Sequence, residues 1–196
     1  MAYEPSRVQQ YGKAILEQGK QLTNMVEQIL AFAGGQFRKN HNQLEALDLG
    51  PVVNQAIATV APAARDAGVE IEAYIPPGLP PVLADVQAIQ QALVNLLINA
   101  SKYAATGGWI GVSIQHGTGG ELEIRVEDKG PGIPAGERRH IFEPFYRGSA
   151  AARANSHGAG LGLTIVDRIA QAHSGRVTVA SDPGRGTCFT LHLPTI

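Results

Sequence analysis

Two asparagines stand one helical turn apart in the stretch "NLLINASKY" (95–103), a run otherwise mostly leucine, isoleucine and alanine. Gln91, Asn95, Asn99 and Lys102 are spaced by 4, 4 and 3, so a helix puts them on one face. Leu93, Val94, Leu96, Leu97, Ile98 and Ala100 fill the rest, and a helix that apolar is buried on most sides. A buried amide left unsatisfied costs about 1–3 kcal/mol. The stripe therefore faces a polar partner or a ligand cavity; two core asparagines bonded to backbone are the alternative. The chemistry available is specific. An Asn amide oxygen is a hard ligand for Mg²⁺, and a Lys one turn further on can meet a phosphate.

Three glycine-rich segments could complete such a site. In "EDKGPGIP" (127–134) Asp128 closes a strand, and Gly130 and Gly132 allow a turn and close approach of a flat ligand. A buried carboxylate there can accept a hydrogen bond from an exocyclic amine such as that of adenine. The same letters also describe an ordinary surface turn. In "GAGLGLTIV" (158–166) Gly158, Gly160 and Gly162 precede an apolar helix, whose N-terminal N–H groups favour phosphate. The spacing fits neither the dinucleotide fingerprint nor a P-loop. Thr187, in "GRGTCFTLHLP" (184–194), either bonds a ligand-binding carboxylate or begins a strand. Between these motifs lies "RRHIFEPFYRGSAAARANSH" (138–157). Phe142, Phe145 and Tyr146 cluster there and Arg147 follows. This reads as a lid bearing an arginine, or as a floppy insertion.

The elements that must position these residues can be read in order. Val8, Ile15, Leu22 and Ile29, with Tyr11, Gln18, Met25 and Phe32, mark an a/d pattern over 8–33. That is a helix of roughly 39 Å stopping at Gly34-Gly35, either one strand of a coiled coil or bundle, the reading so long a stripe favours, or a surface helix packed on its own domain. After a polar link (36–43) come a short strand at 44–49, a helix from Asp48 and Pro51 to about Ala67, and a strand at 69–75. A short strand at 81–85 leads into the Asn-bearing helix, roughly 86–104, capped by Asp85. Strands at 109–115 and 122–128 flank a Gly-rich hairpin. A helix at roughly 160–173 and a hairpin of 176–181 with 187–193 complete the chain. This mixture predicts an α+β two-layer sandwich: one mixed, mostly antiparallel sheet with helices on one face.

Composition narrows the classes. The 196 residues are 44% hydrophobic and 17% charged, with a formal net charge of −1. That suits a globular domain and lacks the electrostatic footprint of a nucleic-acid binder. A single cysteine, Cys188, rules out an internal disulfide framework and fits a reducing compartment. No run approaches the roughly 18 apolar residues of a membrane span, and "MAYEPSRVQQ" has no apolar signal region. A cytoplasmic location is expected.

The order of the motifs is more specific than any one of them. From about residue 44 to 196 the sequence resembles the catalytic, ATP-binding domain of bacterial sensor histidine kinases, within the wider gyrase/chaperone/histidine-kinase/mismatch-repair ATPase superfamily (the Bergerat-type fold). An N box stands at "NLLINASKY", a first glycine box at "DKGPG", an F box at "FEPF", a second glycine box at "GAGLGL" and a Gly-Thr box at "GRGT". The first 40 residues resemble the second helix of the dimerisation and phosphoacceptor hairpin, with the ATP-binding domain over 41–196 and its lid over about 133–160. The resemblance implies ATP and Mg²⁺ as ligands, with Asn99 on the metal and Asn95 beside it on phosphate or the metal's water. Lys102 and Tyr103 would contact phosphate and nucleotide, Asp128 would read adenine helped by Gly132, and Arg147 would approach the γ-phosphate. Gly160, Leu161, Gly162 and Leu163 would hinge the lid and cradle phosphate. Gly130, Ile133, Phe142, Gly158 and Thr187 join the implied nucleotide site, and the implied catalytic roles fall to Asn95, Lys102 and Arg147. Lys129 departs from the pattern, standing where many members carry Asn.

The same resemblance separates kinase from hydrolase. Related hydrolases carry a Glu one turn before the metal-binding Asn, where this chain has Asn95, and an amide accepts no proton near neutral pH. The γ-phosphate is then expected to pass to an outside nucleophile, a histidine. None of His41, His116, His140, His157, His173 and His192 lies in the family's phosphoacceptor context. The expectation is a truncated kinase that binds Mg-ATP without labelling itself. Its partners would be a separate phosphoacceptor hairpin and a response-regulator receiver domain, with homodimerisation through the N-terminal helix. A non-catalytic ATP-sensing module of the same fold is the alternative.

Overall fold

A computed structural model of the chain describes residues 44–104, 107–149 and 159–196, together with residues 11, 12, 16, 19, 23 and 26. Those six isolated positions are helical and exposed. Most of the expected 8–33 helix, the Gly34-Gly35 stop, the 36–43 link and lid residues 150–158 lie outside the described residues.

The elements run β1 (Glu45–Leu47), α1 (Leu49–Asp66), β2 (Glu70–Tyr74), β3 (Val82–Ala84), α2 (Val86–Tyr103), β4 (Trp109–His116), β5 (Glu121–Asp128), α3 (Gly162–Ala172), β6 (Arg176–Asp182) and β7 (Gly186–Pro194). Local chemistry sets the helix starts. The Asp48 carboxylate accepts the Gly50 N–H at 2.9 Å and so caps α1. Asp85 does the same for α2, accepting from Gln87 at 2.8 Å and Ala88 at 3.1 Å. Helix α3 begins at Leu161 with no side-chain cap, so its first N–H groups are left for another partner.

Five strands form one sheet in the order β2-β4-β5-β7-β6. Only β2 and β4 run parallel; the chain leaves β2, passes through β3 and α2, and returns beside it. The other pairings are antiparallel. Register carries the two-residue pattern across the strands. Val112, Val126, Phe189 and Val179 form one cross-strand row, and Ile114, Ile124, Leu191 and Val177 the next. These rows meet the buried faces of α2 (Ile89, Leu93, Leu96, Leu97) and α3 (Ile165, Val166, Ile169) in a single core. The opposite sheet face is polar. There the Arg176 guanidinium forks onto both Glu121 oxygens at 2.7 Å, and Lys129 lies 4.5 Å from the Trp109 ring centre.

The expected single sheet is corrected in one respect. β1 and β3 form a separate antiparallel pair, joined to the rest by a bridge from Val82 to Thr195. Both strands have three residues, too short a pattern for either stretch to signal its partner.

Candidate functional site

Helix α2 is buried along its back and carries its polar stripe on the side away from the core. Asn95, Ile98, Asn99, Lys102 and Tyr103 line a cleft there. Asn95 and Asn99 are half-buried on its wall. Among the described residues no buried side-chain nitrogen or oxygen lacks a partner. The amides therefore face a cavity and are not polar defects in the core. Gln91, on the same helical face, lies outside the lining.

The far wall comes from the sheet. Asp128 ends β5, is 3% exposed and lines the cleft with Gly132, Ile133 and Thr187. Its carboxylate accepts the Gly130 N–H at 2.8 Å and a second from the Thr187 backbone. Burial nevertheless dominates and pushes its pKa from 3.8 up to about 6. The Asp128 turn packs tightly on the end of α2. A Cβ on Gly130 would stand 2.7 Å from the Tyr103 carbonyl and from Asp128 Oδ1. Gly130 thus shapes the cleft from behind and does not line it.

The third wall is the lid root and α3. Ala159, Gly160, Gly162 and Leu163 line the cleft beside Asn95, whose Oδ1 would lie 3.6 Å from a Cβ on Gly162. Gly160 has φ +72°, and a Cβ there would come within 2.8 Å of the Phe145 carbonyl carbon and the Tyr146 oxygen. The lid root is stapled at this point: the Phe145 N–H donates to the Gly160 carbonyl at 3.0 Å, and Thr164 Oγ1 donates to the Phe142 carbonyl at 2.9 Å. The uncapped N-terminus of α3 therefore opens on the cleft with partial positive charge, the arrangement that receives an anion. Two cations stand in the same cavity. Lys102 has its pKa lowered, first by burial and then by the charge of Arg147. Such a pair is relieved by a polyanion.

The cleft is therefore asymmetric. Asn95 meets the N-terminus of α3, and Tyr103 meets the Asp128 turn; the eight helical steps from one to the other span about 12 Å. A carboxylate in an apolar seat marks one end, and amides, cations and a helix N-terminus the other. That is a site for a flat, amine-bearing group joined to phosphates.

Not every expected residue lines it. Phe142 stacks edge-on against Phe189 with ring centres 6.4 Å apart, and Leu161 is fully buried; both support the walls from the core. Gly158 lies outside the described residues. Thr187 reaches Asp128 through its backbone N–H, while its hydroxyl turns to Ser181. Sequence reasoning missed Ile98, Pro131, Glu137, Ile141, Tyr146, Gly148, Ala159 and Phe189. Ile98 and Phe189 carried no polar signal. Glu137 carried one, but its carboxylate reaches the cleft only because the 134–149 segment folds back, where it accepts the Ser149 N–H at 3.1 Å.

No histidine among the described residues lines the cleft. His116 is exposed at the end of β4. His140 pairs with Glu143, and His192 lies against Thr178 and Arg176 on the outer sheet face. His173 is buried at the end of α3, where its Nδ1 donates to the Ile169 carbonyl at 2.7 Å and its Nε2 accepts the Asp85 N–H at 3.0 Å. It ties the end of α3 to the start of α2.

Fold and site together define an ATP-binding domain of the histidine-kinase type. Residues 84–196 match the family described as histidine kinase-, DNA gyrase B-, and HSP90-like ATPase, and the chain belongs to it. The sensor-like histidine kinase SenX3 of Mycobacterium tuberculosis is 32% identical over 195 residues, spanning all of this chain and 47% of that protein. The adaptive-response sensory kinase SasA of Prochlorococcus marinus (strain MIT 9303) is 38% identical over 148 residues, 76% of this chain and 40% of that one. The chain thus spans about half the length of the curated relatives it matches. Among solved structures, full-length ShkA in complex with AMPPNP superposes with a TM-score of 0.81 at 30% identity, over 99% of this chain and 40% of that one. The mycobacterial sensor histidine kinase MprB gives 0.67 at 32% identity, over 77% and 98%.

Proposed function

We propose that this chain is the catalytic part of a sensor histidine kinase, binding Mg-ATP in the cleft and giving the γ-phosphate to a histidine on a separate phosphoacceptor hairpin. The observation that carries this reading is the pairing of a buried Asp128 with an α2 stripe that, one turn before Asn99, presents an amide, Asn95, and no carboxylate. The similarity to ShkA, solved in complex with AMPPNP, supports the nucleotide.

In this reading Asp128 accepts from the adenine amine, while Ile133 covers the base. Lys102, Arg147 and the N–H groups at the start of α3 neutralise and orient the phosphates. Asn99 would hold Mg²⁺. Its half-buried amide oxygen is a hard neutral donor, which suits a cation that brings its own waters and phosphate oxygens. When bound, that ion supplies charge neutralisation between phosphate oxygens. Asn95 orients the phosphate or a water but takes no proton from it. Glu137, the other carboxylate on the wall among the described residues, is engaged with the Ser149 N–H.

The phosphorylated hairpin would in turn serve a response-regulator receiver domain. We place the domain in the cytoplasm and its N-terminal residues in a dimerising hairpin, with boundaries near 40 and a lid over about 133–160. No helix among the described residues is long and apolar enough to cross a membrane. The test is radiolabel transfer from γ-labelled ATP. Label should stay off the isolated chain and appear on an added hairpin bearing a phosphoacceptor histidine. Stable label on the isolated chain, or none on the hairpin, would refute it.

A further inference from the structure

Asp128, Thr187 and Ser181 are direct cross-strand partners on β5, β7 and β6, so their side chains share the inner face. Asp128 and Thr187 line the cleft; Ser181 is buried behind Thr187. The Ser181 oxygen makes three short contacts: the Gly186 carbonyl at 2.8 Å, Thr187 Oγ1 at 2.9 Å and the Ile133 N–H at 2.8 Å.

A hydroxyl has one proton and two lone pairs. The Gly186 carbonyl has no proton to give, so it receives the proton of Ser181. The Ile133 N–H takes one lone pair. The other faces Thr187 Oγ1, and the Thr187 hydroxyl must donate to it. With its proton committed, Thr187 offers the cleft lone pairs only. The neighbouring Asp128 carboxylate, already holding two N–H donors, is an acceptor as well.

We infer that Ser181, which touches no ligand, is a specificity-determining positioning residue: by fixing the Thr187 hydroxyl as an acceptor, it makes the end of the cleft accept 6-amino purines and reject 6-oxo purines. This rests on the reading of the Asp128 end as the purine seat. A 6-oxo purine would put its O6 against Asp128, but that buried carboxyl takes up a proton readily and can then donate to the oxygen, so Asp128 alone does not exclude it. Its O6, however, stands where the amine stood and would meet the Thr187 lone pairs with no proton between them. Without Ser181 the Thr187 hydroxyl can turn and donate to O6.

The test is calorimetric titration of the full chain with adenosine diphosphate and inosine diphosphate. The wild type should prefer adenosine diphosphate. In Ser181→Ala the preference should narrow by about tenfold, the worth of one neutral hydrogen bond, chiefly through tighter inosine diphosphate binding. In Thr187→Val, which removes the lone pairs, the preference should narrow similarly. Loosening of the Ile133 and Gly186 backbone by Ser181→Ala would weaken both nucleotides alike and leave the ratio alone. A ratio unchanged in either folded variant overturns the inference. Should Ser181→Ala not fold, Thr187→Val decides, since Ser181 keeps its bond to Gly186 there. A wild type that binds neither nucleotide overturns the purine-seat reading and the inference with it.

Discussion

Asp128→Asn should stabilise the ligand-free protein while abolishing nucleotide binding. The folded protein holds the Asp128 carboxyl proton more tightly than the unfolded chain does, because burial raises its pKa from 3.8 to about 6. That displacement corresponds to about 3 kcal/mol of preference for the neutral form. The sign follows from proton binding. Below pH 4 the group is protonated in both states and costs nothing. Between pH 4 and 6 the folded state holds more protons, so stability falls as pH rises. Above pH 6 the full cost of an ionised carboxylate in an apolar seat is present. Asparagine imitates the neutral carboxyl and keeps an oxygen for the Gly130 and Thr187 N–H groups. Its gain should reach about 3 kcal/mol at pH 8 and vanish near pH 3.5, which is roughly 6–12 °C in melting temperature for a domain of this size. Its amide also turns N–H donors toward an incoming amine, so binding is lost. Urea denaturation at both pH values, with titration of adenosine diphosphate, checks this. A variant less stable than wild type at pH 8, or a gain that is the same at both pH values, would refute burial as the dominant influence on Asp128.

Other consequences are equally direct. Wild-type affinity for adenosine diphosphate should fall as pH drops through about 6, because the protonated Asp128 no longer accepts from the amine; calorimetry from pH 5 to 8 reads this. Asn99→Ala should remove the dependence of ATP affinity on Mg²⁺ and leave metal-free binding within about threefold, measured by titration with and without the ion. Gly160→Ala should cost about 1–2 kcal/mol from the left-handed backbone alone and weaken nucleotide binding by pushing Phe145 and Tyr146 off the lid root, seen in melts and titration together. His173→Phe should cost about 1–3 kcal/mol by leaving the Asp85 N–H without its acceptor, read by urea denaturation.

Much of the architecture was legible because local signals agreed with the fold. Asp48 and Asp85 cap helices where their spacing predicts, and alternation in "WIGVSIQ" and "LEIRVED" gives the inward rows of β4 and β5. The α2 stripe was legible as well, since its periodicity states that four polar residues share a face. What that face met was open until the fold set Asp128, Gly162 and Arg147 around one cleft with it. The β1–β3 pair escaped because a three-residue strand has too little pattern to name its partner. Phe189 and Ile98 escaped because an apolar residue lining a ligand site looks like one lining the core.

The sequence by itself determined the periodic features: which residues make helices and strands, which of their faces are apolar, and that no carboxylate stands at position 95. It also determined the order of the five motifs, and with them the family. Only the tertiary structure decided how strongly Asp128 is desolvated, because that depends on walls drawn from three distant segments. Only there did Lys102 come under the charge of Arg147, and Ser181 take its place behind Thr187. Proton placement in such a row depends on which oxygens lie within hydrogen-bond distance of one another, and no linear pattern encodes that distance.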